Sequence, residues 1–412
     1  MMKILLFTMS RSFIIGLMIC PVLFVGACAT FEKPATTITS QVRERALTKE
    51  NSGIRVSAAV VGTEEAREIF GIDLFQKNIQ AVWLEIENNA DRPLILLPTA
   101  LDPEYFAPLE VAYAYHKTLA ADANAAIDEH LLTLNFPIRS PILPGSNMSG
   151  YIFTNRTKGM KVVDVDLLGR NFSQNFTFFA PNPDYEGGEG QRIVARMEAM
   201  FSAQELKIMA SEAALRQALE HLPCCVSDED GTSTGEPLNV VIIGKIDDWV
   251  SGFVRRGYRH QPLNPRYVFG RPQDISAQKH SRGYTRPQEH FIRIWKTPIL
   301  YDDKPVWIAQ TGTRLGGRFA EKAPAEVTIP LDPYVDNTRN DLTQDLAYSQ
   351  ALIKFGYVKG SGRSQPTQTD AMPKGAVHYI TDGLRVILVF TQRPASLADI
   401  DFFDWERLVD YH

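Results

Sequence analysis

Short stretches of alternating apolar and polar residues dominate the first part of the chain. Residues 53–62 (GIRVSAAVVG) are β-branched and end in glycine, the pattern of a strand. Residues 77–88 (KNIQAVWLEIEN) also alternate. Ala81, Trp83, Glu85 and Glu87 share one face, and Ile79, Val82, Leu84 and Ile86 mostly share the other, with a slip between Ile79 and Val82. Residues 92–97, 149–155, 161–168 and 173–180 predict four more strands separated by turn residues. Strands this short at this spacing predict a β-sandwich. The stretch 103–131 interrupts them. It is rich in Ala, Leu and Glu, and 117–131 (KTLAADANAAIDEHL) predicts a helix inserted between strands.

Residues 184–190 (DYEGGEG) mark a break. Residues 191–221 have high helix propensity and predict two helices, the second capped by a Ser202-Ala203-Gln204-Glu205 box. After a polar loop at 226–236, Leu238–Gly244 (LNVVIIG) reads as a buried strand. Residues 246–257 read as a helix with Ile246, Trp249, Val250 and Phe253 on one face and Gly257 near its end. Further strands are predicted at 289–296, 305–313, 325–330, 355–358, 376–380 and 384–390. A second helix is predicted at 337–354, and Asp382-Gly383 is predicted to join the last two strands as a hairpin turn. The run YIFTN…KVVDVDLLG…NFTFFAPN resembles the last strands of an immunoglobulin-like domain, which implies a spacer or adhesive module. The expected fold class is mixed: an immunoglobulin-like β-sandwich with a helical insertion (51–183), a helical linker (191–222) and a C-terminal α+β domain with a mixed sheet (236–412).

The N-terminus reads as an address. Lys3 and Arg11 precede an apolar run from Ser12 to Val25. Pro21 interrupts that run, which is short of the ~20 apolar residues a membrane span needs. Residues 25–28 (Val-Gly-Ala-Cys) resemble the lipobox of bacterial lipoproteins. The resemblance implies a signal peptide at 1–27 and a lipid on Cys28, through which the membrane is a partner. Ala29 stands where an aspartate would resemble the inner-membrane retention signal, so the expected location is the outer membrane, facing the periplasm. Residues 28–50, polar and Thr-rich, are expected to be a tether.

Composition narrows the classes. Hydrophobic residues make up 44% and charged residues 22% of 412, a globular profile with room for two or three domains. Net charge is −5; loss of residues 1–27 removes Lys3 and Arg11 and no acid, leaving −7. With no basic stripe, that balance excludes the electrostatic footprint of a nucleic-acid binder. Of four cysteines, Cys20 falls in the leader and Cys28 in the lipobox; Cys224 and Cys225 are adjacent. A vicinal disulfide, an intermolecular bridge and two buried thiols are all open for that pair. There is no Cys/His ladder, and neither a metal nor a cofactor is expected.

Six segments between about 236 and 390 occur together and in order: EPLNVVIIG (236–244), YVFGRPQDISAQK (267–279), HFIRIWKTP (290–298), KPVWIAQTG (304–312), IPLDPYVDNTRNDLTQDL (329–346) and HYITDG (378–383). They resemble the LssY C-terminal domain family. The resemblance implies little chemistry. In some relatives the domain follows a membrane phosphatase of the lipid-phosphatase type, which by analogy points to envelope lipids or phosphorylated polymers.

The densest polar run holds Arg271, Gln273, Asp274, Gln278, Lys279 and His280. Arg271 and Lys279 could clamp a phosphate or carboxylate; the competing expectation is a surface loop shaped by an Arg–Asp pair. On 290–295, Phe291, Arg293 and Trp295 face one side and His290, Ile292 and Ile294 the other. An arginine between two aromatics can stack while presenting its fork to an anion. Asp274 and His290 are the catalytic candidates. Asp332, Asp336 and Asp341 match no metal loop, and Asp336 is better placed to cap a helix. No Gly-x-Ser-x-Gly, Walker loop or His-Glu-x-x-His occurs. The expected function is noncatalytic binding of an anionic ligand or an envelope protein through Arg271, Gln273, Gln278, Lys279 and Arg293. The rivals are a hydrolase or transferase acting on phosphorylated lipid or polymer, and a structural or assembly protein.

Overall fold

The computed structural model describes residues 31, 33, 34 and 39–407, apart from 99–104, 117–120, 158–159, 185–188, 233, 280–288, 315–330, 363–378 and 393–394. Cys28, His280 and the strand expected at 325–330 lie outside the described residues. The N-terminal unit comprises α1 (Thr39–Glu44), β1 (Leu47–Asn51), β2 (Ile54–Val60), α2 (Thr63–Phe70), β3 (Ile79–Asn88), β4 (Ile95–Leu96), α3 (Pro108–Tyr113), α4 (Ala121–Leu134), β5 (Ser146–Asn155), β6 (Met160–Gly169) and β7 (Phe172–Pro181). Its strands form two sheets, β1-β2-β3-β5 and β4-β6-β7. Val56, Leu84 and Ile152 of one meet Val165, Leu167 and Phe178 of the other, closing a sandwich core. β2, β3 and β5 take the places of immunoglobulin strands A, B and E, and β4, β6 and β7 those of C, F and G. The helices α3 and α4 stand between β4 and β5, where strand D would fall.

Those helices explain why β3 is apolar on both faces. Ala59, Trp83, Tyr151 and Phe153 point away from the sandwich core and pack beneath Phe70, Val111, Ile127 and Leu131. Ile79 joins Ala81 and Trp83 on that side, so the slip in the pattern is strict alternation read in the other phase. Residues 39–50, expected in the tether, form α1 and β1 instead. β1 pairs antiparallel with β2 from Leu47↔Ala58 to Asn51↔Ile54, and Arg45 forks onto Glu65 of α2 at 2.7 and 2.6 Å. Both sides of this edge strand are largely exposed, so its sequence carries no apolar period to read; β2 supplies the partner.

The C-terminal unit comprises α5 (Glu189–Glu198), β8 (Lys207–Met209), α6 (Glu212–Glu220), β9 (Cys225–Ser227), β10 (Thr234–Pro237), β11 (Val240–Ile243), α7 (Ile246–Arg255), β12 (Tyr258–His260), β13 (Tyr267–Val268), β14 (Arg271–Pro272), β15 (Ile275–Lys279), β16 (Glu289–Tyr301), β17 (Lys304–Arg314), α8 (Val335–Ala347), β18 (Leu352–Lys359), β19 (Leu384–Phe390) and β20 (Asp401–Phe403). One mixed sheet, β12-β15-β16-β17-β11-β19-β18-β20 with β8 beside β16, organises it. β11 runs parallel to β19 and antiparallel to β17. One face packs under α7 and α8 through Trp249, Phe253, Leu342 and Leu346, and the other under α6 through Leu215 and Leu219. Burial on both faces is why VVII is an unbroken apolar run and LRVILVF is apolar at every position but Arg385.

Three expectations are corrected. The second helix of 191–221 starts at Glu212, where Ser211 accepts from the Ala214 amide at 3.2 Å. Ser202 and Glu205 do bond reciprocally, but around a turn; Lys207–Met209 then pairs with β16, and the ladder outweighs helix propensity. The helix expected at 337–354 ends at Ala347, because from Leu352 the chain forms β18 against β19. Asp382-Gly383 is no hairpin turn: β19 pairs with β18 and β11, and Ile380 bridges Tyr334 instead. The Asp382 carboxylate is occupied by both Nη atoms of Arg339, at 2.8 and 2.9 Å, and by the Leu384 amide at 2.8 Å. Cys224 and Cys225 form a vicinal disulfide, with Cα atoms 3.7 Å apart.

The two units are clasped by ions. Val163, Val165 and Leu167 point into the sandwich, so Asp164 and Asp166 point out of it, toward α7. There Arg255 meets Asp164 through Nε at 2.8 Å and Asp166 through Nη2 at 2.6 Å. Asn175 donates to both carboxylates at 2.6 and 2.7 Å, and Thr177 to Asp164 at 2.7 Å. At the sandwich edge, Lys49 reaches Asp247 at 2.8 Å.

Candidate functional site

Strand alternation divides the residues singled out in the sequence. On β16, Ile292 and Ile294 face α7 and α8, and Trp295 faces α6. Arg293 shares the Trp295 side, and His290 the other. Residues directly opposed across an antiparallel pair share a face. Gln310 and Ser276 therefore flank Arg293, and Gly312 and Gln278 flank Phe291. Gln278 and Arg293 are thus brought to one surface.

The other candidates are used internally. Arg271 Nη1 holds both oxygens of Asp274 at 2.5 Å, and its Nη2 donates to the Lys296 carbonyl. Asp274 also accepts from the Lys296 amide at 2.7 Å, so this pair pins the 267–274 loop to β16. Gln273 closes the same loop, accepting from the Arg266 amide at 2.9 Å and donating to the Leu263 carbonyl at 3.1 Å. Lys279 points to the opposite face and pairs with Asp345 of α8. His290 Nδ1 lies 3.1 Å from the Thr313 hydroxyl, and burial pulls its imidazole below the usual range. Asp336, inside α8, is buried and accepts from Thr381 and from the Asp382 amide. Among the described residues no group of three or more His, Cys, Asp or Glu side chains is arranged to hold a metal.

Arg293 differs from all of these. It is 5% exposed, and its one hydrogen bond among the described residues runs from Nη1 to Gln310 Oε1 at 2.7 Å. Its Nε is buried with no acceptor, and so is Gln310 Nε2. Phe291 lies under the guanidinium at 4.8 Å. Gly312 leaves the room: a Cβ there would stand 3.1 Å from Phe291 and 3.4 Å from Gln310 Nε2. Burial lowers the Arg293 pKa, to about 10, so the group stays a cation at neutral pH. Arg266, Arg314, Glu236 and Tyr379 act on it electrostatically. Glu236 is bound by Arg266 Nε at 3.2 Å and by the Tyr379 hydroxyl, whose pKa burial and Glu236 both raise. The Arg314 guanidinium also lies 5.8 Å from the Phe291 ring. Arg293 thus has one carboxylate, Glu236, and two other guanidiniums within electrostatic reach, where β16 begins and β17 ends. Sequence reasoning missed Gln310, Glu236, Arg266, Arg314 and Tyr379. The readable signal was Gln310, a polar residue inside the apolar run VWIAQ.

The unit around this cluster is an α+β domain on a mixed sheet. Residues 249–384 match the family model described as LssY C-terminus, so this part of the chain is a domain of that family. No curated protein matches the chain. No helix among the described residues is long and apolar enough to cross a membrane.

Proposed function

We propose that the protein is an envelope lipoprotein, anchored at Cys28, whose C-terminal unit binds an anionic ligand at the Arg293–Gln310 edge without turning it over. One observation carries the reading: a nearly sealed arginine whose Nε has no acceptor, beside an amide nitrogen that has none. A buried donor left unpaired costs about 1–3 kcal/mol, which an incoming oxyanion offsets. The Nε–Nη2 edge suits a carboxylate or phosphate bidentately. The catalytic rival is disfavoured by placement. His290 lies on the opposite face of the sheet from Arg293, and Asp274 is consumed by Arg271 and β16.

Thermal shifts with phosphate esters and small carboxylates test this. A ligand at ~100 times its Kd should add about 2.7 kcal/mol. Arg293→Met should abolish the shift while changing the stability of the unliganded protein by no more than about 1–3 kcal/mol, because relief of a buried, partly unpaired cation offsets the donor that Gln310 Oε1 loses. Arg271→Ala should lower Tm and keep the shift. A shift that survives Arg293→Met, or ester turnover that is lost in His290→Ala, would overturn the proposal.

A further inference from the structure

We infer that the layer formed by α3 and α4 is the face this protein lays against a phospholipid surface, with the C-terminal unit held on the far side of the sandwich. The inference rests on the reading of Cys28 as the lipid-bearing residue. Phe31 packs into the cluster beneath the helices, with its ring 5.8 Å from that of His130 on α4. His130 is itself locked there, Nε2 lying 2.8 Å from the Ile69 carbonyl. Phe31 stands only three positions after Cys28. An extended chain spans at most ~3.6 Å per residue, so the acylated residue sits within about 11 Å of Phe31. So short a leash gives the membrane a fixed side to meet.

The surface at that side fits. Leu109 and Tyr113 lie one turn apart on α3, 48% and 68% exposed, and Leu132 on α4 is 50% exposed. Lone exposed leucines need no explanation; two leucines and a tyrosine on two packed helices, one of which touches Phe31, form an interfacial set, with tyrosine the residue suited to a headgroup boundary. Glu110, Asp122 and Glu129 are exposed on the same helices. Contact is therefore driven by the acyl chains and apolar side chains, not by attraction to anionic lipid, and should be insensitive to salt. On the other side, α3 and α4 cover β1-β2-β3-β5, that sheet covers β4-β6-β7, and Asp164 and Asp166 of β6 hold α7. The two sheets alone insert about 10 Å. The Arg293 edge is thereby kept off the bilayer, which favours a ligand reaching it from the aqueous side.

The test uses the mature, acylated chain in phosphatidylcholine vesicles, with and without phosphatidylglycerol. The native disulfide leaves an introduced cysteine as the reactive thiol. Nitroxides are attached at Leu132→Cys, Tyr113→Cys and, as the distant reference, Ile208→Cys, which is 72% exposed on β8. The labels at 132 and 113 should relax several-fold faster with oxygen than with a water-soluble nickel chelate; the label at 208 should show the reverse, at low and high salt alike. Equal accessibility at all three sites, with the acyl group on Cys28 verified by mass, overturns the inference alone. A mature chain without an acyl group overturns the anchor reading and the inference with it.

Discussion

Arg255→Ala should destabilise the protein by about 3–5 kcal/mol near neutral pH, the effect of stripping the partner from buried carboxylates. The Arg255 side chain is 9% exposed, and those of Asp164 and Asp166 are 0% and 1% exposed. Removing the guanidinium leaves two acids facing each other, with Asn175, Thr177 and the Ser349 carbonyl as the remaining polar groups. Because the clasp joins the two units, urea melts followed by probes in each should separate into two transitions. A single transition with less than about 1 kcal/mol of loss would falsify this account.

The same clasp is over-acidic, and that gives it a pH signature. Burial first, and Asp164 second, push Asp166 up from 3.8 to about 6, against the pull of Arg255. A raised folded-state pKa means that the stability contribution is fully present below pH 3.8 and is lost as pH rises through about 6. Asp166→Asn removes that loss. It should raise stability by roughly 1–3 kcal/mol at pH 7.5 and change little at pH 4, where the native residue is already protonated. Chemical melts at the two pH values decide it; equal effects at both sink the assignment.

Arg385→Met should be comparably damaging, about 4 kcal/mol or more, for a different reason. This guanidinium is fully buried and has no carboxylate partner among the described residues; burial alone draws its pKa down to about 10. It donates instead to five backbone carbonyls: Leu238 at 2.9 Å, Leu219 at 2.6 Å, Leu222 at 3.1 Å, Gly360 at 2.7 Å and Pro223. It ties the end of α6, beside the vicinal disulfide, to the edge of β18 and β19. Each carbonyl stripped of its donor in the core costs about 1–3 kcal/mol, less whatever water recovers. Arg385→Lys should not rescue, since an ammonium has three donors on one point where the fork has five. The readout is Tm together with amide exchange at 219–226 and 358–361. Full stability in Arg385→Lys would show that charge, not fork geometry, matters there.

Much of this architecture was legible in the chain. β2, β3, β5, β6 and β7 follow from alternation, β11 from an unbroken β-branched run and β19 from a nearly continuous apolar one, and α7 from its Ile246–Trp249–Phe253 stripe; those signals are local, set by which neighbours along the chain share a face. The division of β16 into an Arg293 side and a His290 side was legible for the same reason. Elements without a local signal were not. β1 is exposed on both sides, and β8 hides in a helix-favouring segment; β2 and β16 recruit them. The roles of the polar residues were also undetermined, because a guanidinium's role depends on what the fold brings within 3 Å of it. Arg271 stands three residues from Asp274 and is consumed by it. Arg255 finds its acids about ninety residues away, on another unit. Arg385 finds four of its five carbonyls about 150 residues or more away. Arg293 finds one amide oxygen and leaves an edge unpaired. Local periodicity specified most of the elements; long-range pairing alone decided which charges are paired within the structure and which keeps an unpaired edge, because hydrogen-bond satisfaction is a property of the packed interior and not of the chain.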